Sequence, residues 1–211
     1  MTSPGLRERK KERTRQLIAD TAARLFAERG YEHVAVRDVA REAEVAEQTV
    51  YNYFPTKEQL VIDREQEIQD RLCDLIRSRP DGVTPAAAIR QFILDFVAEI
   101  RSIPAEQWRG ELAYLAAISP TVHRLALDVT DRQAAALGAT ISDTTTVPPE
   151  IAKLQGIALA SVFQIIICDA GQRAHDGQSQ AKIAKELLRI IANVLDELDR
   201  WFTVSGSAIK R

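Results

Sequence analysis

The residues that most constrain the fold lie between Val34 and Lys57, VAVRDVAREAEVAEQTVYNYFPTK. Val39, Ala40, Ala43, Val45 and Val50 fall at the spacing of two short helices joined by a tight turn, with Ala40 small where the helices would cross. Pro55 ends the second helix, because the residue before a proline avoids helical geometry. The outer side of that helix carries Gln48, Thr49, Tyr51, Asn52 and Tyr53, all able to hydrogen-bond to bases or phosphates. A helix-turn-helix lays such a helix in the major groove, where its first residues reach base edges. An ordinary helical hairpin with a solvated polar face would show the same spacing. The ending Tyr51-x-Tyr53-Phe54-Pro55-x-Lys57 and a preceding amphipathic helix tilt the reading toward sequence-specific DNA binding.

Three runs of residues carry a resemblance: Ala22 to Tyr31 (AARLFAERGY), Val36-x-Asp38-Val39-Ala40, and Thr49-Val50-Tyr51-x-Tyr53-Phe54-x-x-Lys57-Glu58-x-Leu60. In this order and spacing, the segment from about Arg13 to Asp63 resembles the DNA-binding domain of the tetracycline-repressor (TetR) family of bacterial regulators. The resemblance covers about a quarter of the chain. It implies that Arg37, Gln48, Thr49, Tyr51, Asn52, Tyr53 and Lys57 contact DNA. Their chemistry suggests a division. Gln48 and Asn52 suit the edge of adenine and Thr49 a thymine methyl, whereas Tyr51, Tyr53 and Lys57 suit phosphates, which position rather than specify. On this reading Lys57→Ala weakens binding evenly and lowers its salt dependence.

Three residues depart from the family pattern. Glu44 stands where the turn usually has glycine, a position that often requires positive φ, at a cost of about 1 kcal/mol. Ala46 occupies the cap of the second helix and forfeits a side-chain cap worth about 1 kcal/mol. Glu47 favours the helix dipole but opposes phosphate unless it accepts from cytosine.

Composition suits a mainly helical regulator: 45% hydrophobic, 27% charged, and few glycines and prolines in 211 residues. Net charge is only -2, but its distribution is uneven. Residues 1–57 hold eleven Lys/Arg against nine Asp/Glu. Arg7, Arg9, Lys10, Lys11, Arg13 and Arg15 make residues 1–12 and their continuation a basic arm that either follows the phosphate backbone or is simply solvated. Cys73 and Cys168 are far apart and are expected to be buried thiols, with a redox role for Cys73 as a side reading. No signal peptide or membrane span is expected, and the protein is placed in the cytoplasm.

The first helix is expected from Thr14 to Arg29, stopped by Gly30. A helix opening at Lys57 is expected to run to about Arg79 and act as the lever between domains. Helical segments then follow over Pro85 to Ile103, Trp108 to Ile118 and Pro120 to about Leu137, the last capped by Ser119. After a polar loop at 142–149 come two long helices, Glu150 to Arg173 and Ser179 to Phe202. The second of these carries one apolar stripe, whereas the first is apolar on more than one side and needs more than one partner. Val162, Ile166, Ile190, Val194, Leu198 and Trp201 are the candidate dimer contacts, in a four-helix interface that the resemblance also implies. Phe96, Trp108, Tyr114, His123 and Gln164 are candidates to line an effector pocket. For each of them core packing is the commoner explanation.

The fold class expected is all-α. An N-terminal three-helix helix-turn-helix domain (13–57, motif at about 34–53) precedes a helical ligand-binding and dimerisation domain (58–203) and a flexible tail (204–211). The expected function is a dimeric, sequence-specific DNA-binding regulator, released from a palindromic double-stranded operator by a small, lipophilic effector. Activation in place of repression, or action through protein contacts alone, are the alternatives. No enzyme, metal or cofactor is expected, since His33, His123 and His175 are isolated and no phosphate-binding glycine loop occurs.

Overall fold

The computed structural model describes residues 5–207. Helix α1 (Leu6–Arg29) buries Ile18, Ala22, Leu25 and Phe26, and stops at Gly30 (φ 79°), whose N–H donates to the Phe26 carbonyl at 2.9 Å. It begins eight residues before the expected Thr14. No glycine or proline interrupts the segment after Gly5, and the Glu8 carboxylate accepts the Gly5 N–H at 3.0 Å. Arg7, Arg9, Lys10, Lys11 and Arg13 are therefore exposed on the first turns of a helix rather than on an extended arm. Residues 1–4 of that expected arm, and 208–211 of the expected tail, lie outside the described residues.

Helices α2 (Val36–Glu42) and α3 (Glu47–Tyr53) pack on α1. The long helix expected from Lys57 is broken. A 3-10 turn (Glu58–Leu60) is followed by a bend, and α4 spans Glu65–Arg77. Leu60 and Val61, adjacent in sequence, are both drawn into the helix-turn-helix core. Arg15 of α1 holds the bend from outside, donating to the Asp63 carbonyl at 2.6 Å with its carboxylate at 3.7 Å. Docking of residues 60–63 onto α1 thus replaces a straight lever with a jointed one.

The remaining helices are α5 (Pro85–Glu99), the short α6 (Ala105–Trp108), α7 (Leu112–Ile118), α8 (Pro120–Thr144), α9 (Pro149–His175) and α10 (Gln180–Ser207). Ser119 caps α8 as its spacing predicts, its hydroxyl accepting the Val122 N–H at 3.1 Å ahead of Pro120. The helix runs past Leu137 to Thr144, into the first part of the expected loop. Arg79, two residues beyond the end of α4, donates to the Thr144 carbonyl and hydroxyl, both at 2.9 Å, and so closes the C-terminus of α8. Helix α10 likewise continues beyond Phe202 to Ser207.

Two cores result. One lies among α4, α5, α8, α9 and α10; the other belongs to the helix-turn-helix but also takes in Leu115 and Ala116 of α7 and Val122 and Ala126 of α8. The domains therefore share packed side chains. Glycine permits the tightest crossings. A Cβ on Gly156 of α9 would lie 2.4 Å from the Gly138 nitrogen of α8, and one on Gly110 would lie 2.0 Å from the Ala23 carbonyl oxygen of α1.

Helix α9 is long and apolar. It holds a window of mean hydropathy 1.8, long enough to cross a membrane by length and composition, and 44% of that window is buried within the chain. Its inward side carries Leu159, Val162, Phe163 and Ile166. Leu154, Ile157 and Ile165 remain on the outer side, 51%, 43% and 39% exposed. Cys168 shares that outer side and is exposed, contrary to the expectation of two buried thiols; Cys73 is buried.

Candidate functional site

The turn between α2 and α3 has the Schellman arrangement that closes a helix. Val45 N–H donates to the Ala40 carbonyl at 3.0 Å and Glu44 N–H to the Arg41 carbonyl at 3.3 Å. This geometry requires a left-handed residue at position 44, and Glu44 adopts φ 54°, the one positive φ outside glycine among the described residues. Glu44→Gly is expected to stabilise the protein by about 1 kcal/mol, read as a higher denaturant midpoint at unchanged slope. No gain would show that the glutamate meets no backbone penalty. Ala46 caps α3 in an extended conformation without a side-chain bond. At the start of α2, by contrast, Asp38 accepts the Ala35 N–H at 3.0 Å, which holds its carboxyl below the usual range.

Val50 fixes the orientation of α3, fully buried against Val39 and α1 within one core. Gln48, Tyr51 and Asn52 are then exposed, and Thr49 and Tyr53 half-buried. Gln48 donates to the Asn52 side-chain carbonyl at 3.2 Å across one helical turn. The pair leaves the Gln48 carbonyl and the Asn52 amide group as an adjacent acceptor and donor, the set that recognises an adenine edge. Arg37 is exposed on α2.

Lys57 is placed differently from a phosphate contact. Its ammonium donates to the Tyr31 carbonyl at 2.5 Å and lies over the Tyr31 ring, 4.0 Å from the centroid. Burial lowers its pKa, against the opposing pull of Glu32 and Glu58. Lys57 thus ties the end of α3 to the loop after α1, and its removal would loosen the domain as well as remove a charge.

The domains meet at two polar points, and an ion pair between α8 and α4 flanks the joint. Besides the Arg15–Asp63 pair, Ser119 donates to Glu32, which holds that carboxyl below its usual range, and Arg132 of α8 pairs with Glu65 at 2.9 Å. Beside this joint lies a cavity of about 430 Å³. Its apolar wall includes Phe96, Ile100, Trp108, Phe163 and Ile166, with the rings of Phe96 and Phe163 edge to face at 5.7 Å. Asp63, Arg64 and Glu65 of the bend form part of its rim.

Of the residues expected in a pocket, Phe96 and Trp108 line this cavity. Tyr114 is half-buried against the main core, Gln164 is half-buried on α9, and His123 is exposed at the start of α8; none of the three lines it. Asp63, Glu111 and Gln133, which also line the cavity, were not legible, since polar residues of turns and of amphipathic helices ordinarily face water. Of the expected dimer contacts, Val162 and Ile166 are 1% and 2% exposed and belong to the chain's own core. Ile190, Val194 and Leu198 are half-buried, and Trp201 is exposed beside Phe202.

Taken together, a braced helix-turn-helix joined to a cavity-bearing helical domain defines a two-domain, all-helical class of fold. Residues 18–63 match the model of the bacterial regulatory proteins of the tetR family. The chain is 35% identical over 109 residues to the HTH-type transcriptional regulator TcmR of Streptomyces glaucescens. That alignment covers 52% of this chain, and the chain spans about half (48%) of the relative's length. Among solved structures it resembles NalD of Pseudomonas aeruginosa, the secondary repressor of the MexAB-OprM multidrug efflux pump (TM-score 0.55, 18% identity, 87% and 97% of the two chains). It also resembles SmeT in complex with triclosan (TM-score 0.53, 14% identity, 84% and 89% covered). These two likenesses concern the fold.

Proposed function

We propose that the chain is a cytoplasmic, homodimeric transcriptional repressor that reads a palindromic operator with α3 and leaves it when a small lipophilic molecule enters the cavity. The observation that carries this reading is the exposed Gln48–Asn52 pair on a helix whose opposite side is locked by Val50. Free amide groups in register on one side of a rigid helix suit base edges, and helix-turn-helix dimers read half-sites one helical turn apart or multiples of it. The outer apolar side of α9 supports the dimer, with Leu154, Ile157 and Ile165 as its central contacts and Trp201 of α10 at its margin. Relatives of the same fold that repress an efflux pump or hold triclosan support the effector reading.

Release requires that the effector bind better to the arrangement that mis-spaces the two α3 helices. The joint at residues 61–65 both lines the cavity and is gripped by Arg15 of α1, so it is the element through which the two sites would communicate. Two substitutions test the DNA reading. Gln48→Ala is expected to lower discrimination between operator and altered half-sites by about tenfold or more. Arg37→Ala is expected to weaken all sequences alike and to flatten the salt dependence by about one phosphate contact. Equal loss of discrimination from both would contradict the assignment.

A further inference from the structure

The cavity has one property that its apolar wall does not explain. Five charged residues stand on its rim, Asp63, Glu65, Glu99, Glu111 and Arg64, giving four carboxylates against a single guanidinium. Glu65 is matched by Arg132 and Asp63 by Arg15. Glu111 has no ion pair or hydrogen bond to its carboxylate among the described residues, although it sits at the turn into α7 where the chain is pressed against α1. Burial raises its pKa, the charges of Asp63 and Asp20 raise it further, and Arg64 opposes. A carboxylate in that position costs free energy until a cation reaches it.

The wall adds an independent observation. Gln133 and Trp108, 3% and 7% exposed, both line the cavity. The Gln133 Oε1 and the Trp108 Nε1 are buried without a hydrogen-bond partner. Buried side-chain polar atoms are ordinarily paired, and an orphan of this kind marks a place where a further molecule belongs. One acceptor, one donor and an unmatched carboxylate thus surround an apolar space.

We propose that the cavity selects a lipophilic organic cation, with its ammonium group at Glu111 and Asp63 and its apolar body against Phe96, Ile100 and Phe163. This rests on the reading of the cavity as the effector site and names the chemistry of what enters it. A carboxylate or phosphate ligand would face four rim carboxylates with one arginine in its favour. A neutral ligand would fill the apolar space but leave Glu111 unmatched. A cation at this seat also adds a second partner for Asp63, whose present partner is Arg15 of the DNA-binding domain.

The test uses three molecules of one skeleton, 1-naphthylmethylammonium, 1-naphthylmethanol and 1-naphthoate, titrated calorimetrically into the full chain at neutral pH. The ammonium compound is expected to bind about tenfold or more tightly than the alcohol, the scale of one charge-assisted hydrogen bond in a shielded site. The carboxylate is expected to bind weakest. Glu111→Gln, which keeps the side-chain shape, is expected to erase the preference for the ammonium compound over the alcohol. Equal affinity for all three, or tightest binding of the carboxylate, would overturn the cation assignment and leave the effector cavity standing. Failure of all three to bind would overturn the cavity reading itself. The comparison among the three on the unmodified protein decides the matter even if the variant folds poorly.

Discussion

Gly156→Leu is expected to lower the thermal midpoint by about 6–12 °C, the consequence of a loss of about 3 kcal/mol in a chain of this size. The first added atom would already lie 2.4 Å from the Gly138 nitrogen and 2.6 Å from the Ala134 carbonyl oxygen. Those are backbone atoms of α8 and cannot rotate aside, so the two longest-paired helices of the second domain must separate. Gly177 makes the informative contrast. It stands at φ 79° with nothing within 4 Å of its Cβ position, so Gly177→Ala meets only the backbone penalty of about 1 kcal/mol. Differential scanning calorimetry on both variants checks the pair. Equal midpoints would mean that the α8–α9 seam is not as close as described.

The second large effect concerns assembly. Ile157→Asp combined with Ile165→Asp is expected to convert the protein to a monomer in sedimentation equilibrium at micromolar concentration. Both residues lie on the outer side of α9, and a carboxylate buried there without a partner opposes association. Operator affinity should fall by about a hundredfold or more, since two half-sites would no longer be engaged by one linked pair. Ile166→Ala separates the causes. Its side chain is 2% exposed within the subunit, so it should cost about 2–5 kcal/mol of stability while the dimer persists. A double aspartate variant that remains dimeric would place the interface elsewhere.

The helix-turn-helix was legible because its determinants are local. The left-handed turn residue at Glu44, the bare cap at Ala46, the stop at Gly30 and the cap at Ser119 each follow from a few adjacent residues. What escaped depends on which surface another element covers. Periodicity showed that α9 is apolar on two sides, but not which side faces inward. Val162 and Ile166, candidate dimer contacts by periodicity, face inward, whereas Leu154, Ile157 and Ile165 are exposed. The sequence carries one signal of the inward side: Gly156 and Gly171 fall on the same side as Leu159 and Phe163, and helical glycines mark close crossings. The bend at 61–64 was hidden for a related reason. Its apolar residues read as a continuing helix, and only their burial against α1 shows the break. Lys57 looked like a phosphate contact because its pull toward Tyr31 spans 26 residues of sequence.

The central claim is specific reading of paired half-sites by α3. A salt-titrated selection of bound sequences from a random DNA pool tests it most directly. The account predicts enrichment of one palindrome with half-sites about one helical turn apart or somewhat more, centred roughly 34 Å or further from each other. Recovery of only unspecific sequences, bound with steep salt dependence, would contradict it and show that α3 follows phosphates without reading bases.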